Sequence, residues 1–477
     1  MMGLPGRLSA QRAPRRSGGL RGEPTSKRSG AATCALGTTM ARRDRVRDAV
    51  GQHLSSRCSL LEMQGLLVMV AACAACAMHG TPMRWSSFPI VVLLACLSAG
   101  RRAPLRGRPL SIAIRWMLAA TAFALGWSTV SAVFHFDMSS AVALVGGAGA
   151  AMLGFWLGYS ERCTSRTTDL LLRGTAIGYC VHAGILLSWF VSEVGWSVSD
   201  AIQFRWSPVG YVSAESVGFG NLGNNAVLAA MVLPWCVALA VRPGSWTWRA
   251  LGAAAGILAV AVLIIVQSRA CVIAAVLAVF VVLMAFRARS LLFIWTVLLA
   301  AVVVGLVQEE LWFDDGPVAR WRQSLESPGS DASFDERAVS IRQGWDAIWG
   351  VPAIGVGPAN LAGALTHTAP HQWHLHQALE WGIPAGVAWC IATVCLLACV
   401  FRHSFSACAG HQRSRDVLLC LSLPATYILI GLMAGAQWHF GLASVWPTMC
   451  GLGVGAAVAL ETRPTPEALR RRPCGIA

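Results

Sequence analysis

The stretch RALGAAAGILAVAVLIIVQSRACVIAAVLAVFVVLMAFRAR, residues 249–289, decides the fold class of this chain. Its two apolar runs, 250–266 and 270–286, are each long enough to cross a bilayer as a helix, which takes about 17–25 residues. Only a short polar segment around Gln-Ser-Arg at 267–269 separates them. The pattern predicts two membrane-spanning helices joined by a tight hairpin.

The same pattern recurs along the whole chain. Of its 477 residues, 55% are hydrophobic and only 13% are charged, and the mean hydropathy is +0.57. A soluble protein would carry about a quarter charged residues. We therefore predict an all-α polytopic membrane protein with about twelve spans, of which the second is short and the least certain. The predicted spans are 59–78, 84–99, 116–134, 140–160, 174–192, 221–241, 250–266, 270–286, 290–307, 382–401, 417–436 and 440–460.

These spans divide the chain into segments of different character. Residues 1–57 form a basic tail rich in Gly, Ser and Pro that cannot build a core. Met40 opens MARRDRVRDAV and is an alternative start, so translation from it would leave out residues 1–39. The segments predicted after the tail are spans 1–9 at 58–307, a large loop at 308–381, spans 10–12 at 382–460 and a second tail at 461–477.

The distribution of arginine predicts the topology. Cytoplasmic loops of membrane proteins carry an excess of Lys and Arg. The intervening short connections hold only Arg84, Arg205 and Arg269. Both termini are therefore predicted to be cytoplasmic, and the loop at 308–381 periplasmic. The alternate, arginine-rich connections hold Arg101, Arg102, Arg106, Arg108, Arg162, Arg166, Arg173, Arg242, Arg249, Arg287, Arg289, Arg402, Arg413 and Arg415.

Two features of the composition do not call for special chemistry. The net charge of +15 is carried almost wholly by arginine, with Lys27 the only lysine, and it is better explained by topology than by a nucleic-acid partner. Most of the 16 cysteines lie in apolar runs, among them Cys73 and Cys76 in VAACAACAM. Buried thiols behave as small hydrophobes, so we expect these two to be structural.

The large loop ends in HTAPHQWHLHQALEWGIPAG, residues 367–386, which holds His367, His371, His374 and His376. A zinc site needs three or four ligands of suitable geometry. Pro370 separates the first two histidines, and the last two are spaced to point to different sides of a helix. A single catalytic histidine is favoured over a metal site, because imidazole titrates near neutrality and can accept a proton from a hydroxyl group.

Three arginines could bind phosphate through the planar fork of their guanidinium groups. Arg269 lies at the hairpin break, where the alternative is an arginine that reaches the interface without binding anything. Arg337 and Arg342 are five residues apart, about 140° around a helix, so at most one of them would face a site. The apolar residues around them, Ile341, Trp345, Ile348 and Trp349, predict an amphipathic helix on the membrane surface, ended by Pro352 and a flexible Gly-Val-Gly turn at 355–357.

The order of these features resembles the O-antigen ligase superfamily, which includes O-antigen ligases, Wzy-type polysaccharide polymerases and bacterial O-linked oligosaccharyltransferases. The outer loop of the family ends in a pattern like H-N-x-x-L-x-x-x-x-E-x-G-(I/L)-x-G, and the segment from His371 to Pro384 is similar to it. Gln372 stands where the family usually has asparagine, so the amide is moved by one methylene. Glu380 matches the acid of the pattern and was open to two interpretations, a helix-start acid or a support for a histidine.

Three further motifs carry the resemblance, which covers roughly residues 210–400. Arg337 followed by Pro352, Gly355 and Gly357 is similar to the family's arginine and P-x-x-G-x-G, with Arg342 the second choice. Gln-Ser-Arg at 267–269 is similar to the family motif S-R-(G/A). The segment 218–235, GFGNLGNNAVLAAMVLPW, is similar to G-N-x-N-x-x-A, in a register that leaves Asn224 and Asn225 both open.

The resemblance implies a function and a site. Members of the family transfer a glycan from an undecaprenyl-diphosphate carrier to an acceptor, with inversion and without a metal or other cofactor, in a GT-C-like fold of the bacterial inner membrane. By this resemblance Arg269 and Arg337 would stabilise the diphosphate and His371 would deprotonate or orient the acceptor hydroxyl. Gln372, Glu380, Asn224 and Asn225 would support the site.

The nature of the acceptor stays open among a growing glycan, lipid A–core and a protein hydroxyl. A transporter or exporter of lipid-linked saccharide is the alternative from another class, and it would explain the spans and the arginines equally well. It would not require a histidine beside a large outer loop.

Overall fold

The computed structural model describes residues 66–74, 76–77, 109–160, 164–194, 222–266, 268–288, 291, 332–357, 372–434 and 445–462. The regular structure in this part of the chain is helical, as the sequence predicts. Besides a helical segment within 66–77, the helices are α1 (Ile112–Phe134), α2 (Met138–Ser160), α3 (Thr164–Val194), α4 (Leu222–Val241), α5 (Trp246–Val266), α6 (Arg269–Ala285), α7 (Ala332–Ile348), α8 (Trp373–Trp381), α9 (Ile383–Cys408), α10 (Gln412–Ala434) and α11 (Val445–Thr462).

Six of the described helices are long and apolar enough to cross a membrane, namely α1, α2, α3, α5, α9 and α10, and α4 and α6 are shorter apolar helices. Each of these coincides with a predicted span, and α11 coincides with the predicted span 440–460. The predicted span 84–99 lies outside the described residues, as does 290–307 except for residue 291, and the described part of span 59–78 is helical. The count of twelve therefore stays a prediction, while a multi-pass helical membrane protein is confirmed.

Glycines bring two pairs of helices into close contact. Gly154 and Gly158 of α2 face backbone carbonyls of α11, and Gly451 and Gly455 of α11 face backbone carbonyls of α2. A Cβ atom built on Gly154 would lie 2.4 Å from the Thr448 carbonyl oxygen. Small residues four apart allow membrane helices to approach this closely. The same arrangement joins α3, through Gly174 and Gly178, to the backbone of Met69 and Cys73.

One end of the bundle is held by arginine and carboxylate side chains. Arg242 donates to Asp416 at 3.0 Å, linking the end of α4 to the start of α10. His403 Nε2 lies 2.8 Å from Glu461 Oε1, and Arg413 donates to the Glu461 carbonyl at 2.6 Å. Connections that the sequence predicts to be cytoplasmic therefore meet at the same end of the described helices.

The opposite end carries α7, α8 and the turn that joins α7 to the bundle. Arg287, just after α6, donates to the carbonyl of Cys408, the last residue of α9, at 2.6 Å. This bond lies at the arginine-rich end, where the C-terminal ends of α6 and α9 meet, so their N-terminal residues Arg269 and Ile383 both lie toward the end that carries α8. Described residues of three sequence motifs, 268–269, 352–357 and 372–386, are thus brought to that one end of the bundle.

Candidate functional site

The turn 352–357 is bound to one face of α1. Three successive carbonyl groups of the turn accept hydrogen bonds from side chains spaced four residues apart, and such residues share one face of a helix. The bonds run from Trp127 Nε1 to Ala353 at 2.9 Å, from Ser131 Oγ to Ile354 at 2.5 Å, and from His135 Nε2 to Gly355 at 3.0 Å. The motif that resembles P-x-x-G-x-G is therefore held along its length by α1.

The same turn also closes the C-terminal end of α8. The last carbonyl groups of a helix have no partner within the helix and must be satisfied from outside. Val356 N donates to the Leu379 carbonyl at 2.8 Å, and Gly357 N donates to the Glu380 carbonyl at 3.1 Å. The turn therefore fixes the height and rotation of α8 relative to α1.

Glycine is required at three positions of this junction. Gly355, Gly357 and Gly382 have φ of +69°, +78° and +95°, a region that favours glycine. A Cβ atom on Gly355 would lie 2.6 Å from the Glu380 carbonyl oxygen, and one on Gly382 would lie 2.1 Å from that of Ala353. The glycines of both motifs thus permit a close approach of two backbones, which explains why the motifs contain them.

Gln372 caps the N-terminus of α8. Its Oε1 accepts a hydrogen bond from Leu375 N at 2.5 Å, and its backbone is extended, as is usual at an N-cap. Its Nε2 lies 3.4 Å from His374 Nδ1. The residue that departs from the family's asparagine therefore has two identified partners, the free amide at the helix start and a buried histidine.

His374 is buried between α8 and α9. Its Nε2 lies 2.9 Å from the hydroxyl oxygen of Thr393. Burial lowers the pKa of the His374 imidazole below its ordinary value, and a hydrogen bond with the Trp389 backbone opposes this only in part. His374 is thus neutral at neutral pH.

His376 and Glu380 form a buried pair on the inner face of α8. Glu380 is 1% exposed, and its Oε2 lies 3.3 Å from His376 Nε2, one helical turn away. Glu380 is the eighth residue of the nine-residue helix α8 and lies two residues before Gly382, the N-cap of α9. Its interpretation as an acid at the start of the following helix and its interpretation as a support for a histidine both stay predictions, and the histidine beside it is His376.

The helix α7 carries both Arg337 and Arg342, and the structure describes the side chain of Arg342. Ser340, Gly344 and Ile348 are buried, and Ile348 packs on Leu379 of α8. Arg342 is exposed and shares its face with Trp345 and Trp349, which are 55% and 61% exposed. The predicted helix and its two faces are present, with Ile348 on the buried face, and its place on the membrane surface stays a prediction.

The structure places the remaining predicted site residues as follows. Arg269 is the first residue of α6, preceded by Ser268 at the N-cap position. Asn225 is fully buried in α4, and its Oδ1 accepts from His182 Nε2 of α3 at 3.1 Å. Asn224 precedes it in the same helix. His371 lies outside the described residues, immediately before Gln372.

Several residues of this region were not predicted from the sequence. Thr393 and His182 lie inside apolar runs, and Trp127, Ser131 and His135 lie at the end of one. In the sequence, each of them is signalled only by a polar side chain in or next to a predicted span. Such side chains are rare there and suggest a hydrogen-bonding partner. Their partners are distant in the chain, so only the packing of the helices identifies them.

The described residues offer no group of three or more His, Cys, Asp or Glu side chains that could hold a metal ion. This finding concerns His374 and His376 but not His367 and His371, which lie outside the described part of the chain.

Comparison with known proteins gives a family match that covers part of the chain. Residues 254–390 match the family model described as O-antigen ligase, and the matched region contains Arg269, Arg337, Arg342, His371, Gln372 and Glu380. No curated protein gave a match to the chain.

The fold and the match together define a class, a multi-pass membrane protein of the glycosyltransferase-like type. Within that class, residues 254–390 match the O-antigen ligase model, and this match supports the O-antigen ligase/Wzy superfamily.

Proposed function

We propose that this protein is a glycosyltransferase that moves a glycan from an undecaprenyl-diphosphate carrier to an acceptor hydroxyl on the periplasmic side of the inner membrane. The observation that carries the proposal is the O-antigen ligase match over 254–390, which includes the candidate base and all three candidate arginines. The meeting of the three motifs at one end of the bundle supports it. The proposed acceptor is a glycan or lipid A–core, and a protein hydroxyl is the alternative.

The proposed reaction breaks the bond between the anomeric carbon and the diphosphate oxygen, and the bonding electron pair leaves with the diphosphate. The acceptor oxygen forms the new bond from the opposite face, which inverts the anomeric centre, and its proton passes to His371. The charge on the leaving diphosphate grows during this step. Arg269 and Arg337 would stabilise that charge, a contribution that is usually among the largest in catalysis. Arg342 is the second choice, because its side chain lies on the exposed face of α7.

The test is a set of arginine and histidine variants compared with matched controls. We expect His371→Ala and Arg269→Ala to remain in the membrane but to lose the surface polymer or its attachment, while undecaprenyl-linked glycan accumulates. Removing one such charged group typically lowers the rate by about 100-fold or more. Arg249→Ala and His411→Ala are the controls, because both side chains are exposed at the arginine-rich end of the bundle and should leave the glycan normal.

Further readouts separate the alternatives. Purified protein given lipid-linked glycan and acceptor should release undecaprenyl diphosphate, whereas a transporter would not. A changed polymer length distribution indicates a polymerase, loss of attachment to lipid A–core indicates a ligase, and loss of protein-bound glycan indicates a protein oligosaccharyltransferase. Normal glycan in both His371→Ala and Arg269→Ala would contradict the proposal, and loss of activity in a strong chelator would contradict its metal-independent form.

A further inference from the structure

Two arginines at the arginine-rich end of the bundle have no carboxylate beside them. The described carboxylates at this end are already paired, namely Asp169 with Arg173, Asp416 with Arg242 and Glu461 with His403. Arg287 and Arg415 form no ion pair with any residue that the structure describes. Two positive charges are therefore left over for a partner outside the described residues.

These two arginines lie at one junction of α6 and α10. Ala285, the last residue of α6, shares a buried apolar cluster with Leu418 of α10. Arg287 comes two residues after the first of these and Arg415 three residues before the second. The Arg415 guanidinium carbon lies 5.9 Å from the centre of the Phe286 ring. Both charges are thus placed beside the same aromatic side chain.

Arg287 is held in a fixed position at the end of α6. Its φ is +54°, and its N–H donates to the Met284 carbonyl at 3.0 Å. A helix that ends in this left-handed conformation usually has glycine there. The guanidinium donates through Nε and Nη2 to the Cys408 carbonyl, at 2.9 and 2.6 Å, while the side chain as a whole stays exposed. The group is therefore oriented before any ligand arrives.

Exposed apolar faces of two helices lead to this position. On α6 they consist of side chains three or four residues apart, Ile273, Leu277, Phe280 and Met284. On α9, whose last residue Cys408 accepts from Arg287, they include Phe401 and Phe405, with ring centroids 4.6 Å apart. Large exposed apolar surfaces mark sites of contact with a membrane or a partner. Acyl chains that cover these faces would place a lipid headgroup at the level of Arg287.

We propose that Arg287 and Arg415 bind the phosphate of an anionic phospholipid whose acyl chains lie along the exposed faces of α6 and α9. The planar guanidinium suits a phosphate because it donates two parallel hydrogen bonds. Basic groups between membrane helices on the cytoplasmic side bind anionic headgroups, and the sequence predicts that this end is cytoplasmic. The site lies at the other end of the bundle from α8, so it does not depend on the proposed glycan transfer.

The first test is binding of phosphatidylglycerol to the purified, full-length protein in a neutral detergent, measured by native mass spectrometry. Arg287→Gln and Arg415→Gln should each weaken binding by about 10- to 100-fold, the loss expected for a hydrogen bond to a charged group. Arg249→Gln is the matched control. It removes the same charge from the same end of the bundle, where Arg249 is exposed and donates to the Ala240 carbonyl.

A second variant separates lipid binding from folding. Arg287→Gly removes the guanidinium but suits the positive φ at this position. Phosphatidylglycerol should raise the unfolding temperature of the wild type and of Arg249→Gln above the value with phosphatidylcholine. That increase should be lost in Arg287→Gly and in Arg415→Gln. Because each variant is compared with itself in the two lipids, a general change in its stability cancels.

Three outcomes would overturn the proposal. Equal binding of phosphatidylglycerol by the wild type, Arg287→Gln and Arg415→Gln would show that these arginines do not hold the headgroup. An equal loss in Arg249→Gln would reduce the effect to the general attraction of a positive end for anionic lipid. If inorganic phosphate raises the unfolding temperature as much as phosphatidylglycerol does, the ligand is a free anion and the acyl chains contribute nothing.

Discussion

At the scale of the residue, the histidines of the 367–386 stretch have different environments. His374 is part of a chain of neutral hydrogen bonds, whereas His376 lies beside a buried carboxylate. Two residues apart on α8, they face different neighbours, as their spacing predicted. The proposed chemistry depends instead on His371, which comes immediately before the capped start of the helix and lies outside the described residues.

The buried His374 predicts a dependence of stability on pH. Its pKa is lowered in the folded protein, so below its ordinary value near 6.5 the unfolded chain takes up a proton that the folded protein does not. The stabilisation from neutral His374 is therefore full above that value and is lost as the pH falls toward the lowered pKa. Between about pH 8 and about pH 5, the thermal unfolding temperature of the wild type should fall more than that of His374→Gln.

The measurement is thermal unfolding of both proteins in the same detergent across that range. His411→Gln is the control, because His411 is exposed at the other end of the bundle and its substitution should leave the wild-type pH dependence unchanged. Equal pH dependence of the unfolding temperature in wild type and His374→Gln would contradict the explanation that burial lowers the pKa of His374.

At the scale of the element, the turn 352–357 acts as a connector of three helices. It accepts hydrogen bonds from α1, donates them to the end of α8 and, through the Pro352 carbonyl, accepts from Ile383 N at the start of α9 at 2.8 Å. A motif that the sequence suggests to be a flexible turn is therefore held on both sides by hydrogen bonds to its backbone. Its glycines serve the close approach of chains rather than mobility.

Substitution of a turn glycine should show this role. Gly355→Ala places a Cβ atom 2.6 Å from three backbone atoms and forces a positive φ on alanine. We expect it to reduce the free energy of unfolding by about 1–3 kcal/mol, seen as a lower unfolding temperature and lower protein yield in the membrane. Gly350→Ala is the matched control, since its Cβ atom would come no closer than 3.4 Å to the Ala347 carbonyl. A loss of stability in Gly350→Ala as large as that in Gly355→Ala would contradict the explanation.

At the scale of the whole molecule, the bundle is held differently at its core and at its ends. Backbone contacts at glycines join α2 to α11, while side-chain bonds join the helix ends, such as Arg242 to Asp416. Lipid tails are as apolar as leucine, so association inside the membrane depends on close packing rather than on hydrophobic burial. The glycine contacts therefore determine how these spans assemble.

Two alanine substitutions within α2 test this conclusion. Gly154→Ala should destabilise the protein by about 1–3 kcal/mol, because its Cβ atom would meet the Thr448 carbonyl at 2.4 Å. Gly149 lies in the same helix, and a Cβ atom in Gly149→Ala would have no neighbour within 4 Å. It should be neutral or stabilising by up to about 1 kcal/mol, since alanine favours helix more than glycine does. Thermal unfolding in detergent measures both, and the reverse order would show that α2 and α11 do not pack through Gly154.

Part of the candidate site could be predicted from the sequence, and part could not. The helix carrying Arg337 and Arg342 and the motifs around Gly355 and Gly382 were found from their local patterns. The choice of Asn225 as the asparagine bonded to His182 required the structure, because the sequence does not tell which face of α4 meets α3. The start of α8 also required the structure, because it is set by Gln372 rather than by the apolar run that follows.

The sequence by itself determined the membrane class, the position of the spans and the order of the motifs, since apolar length and helical period are properties of neighbouring residues. The tertiary structure alone decided that the turn 352–357 binds α1, more than 200 residues earlier in the chain, and that His374 meets Thr393. Such pairs form because helices distant in sequence pack side by side. Their hydrogen-bonding groups must then find partners across that contact, since an unpaired polar group buried away from water is costly.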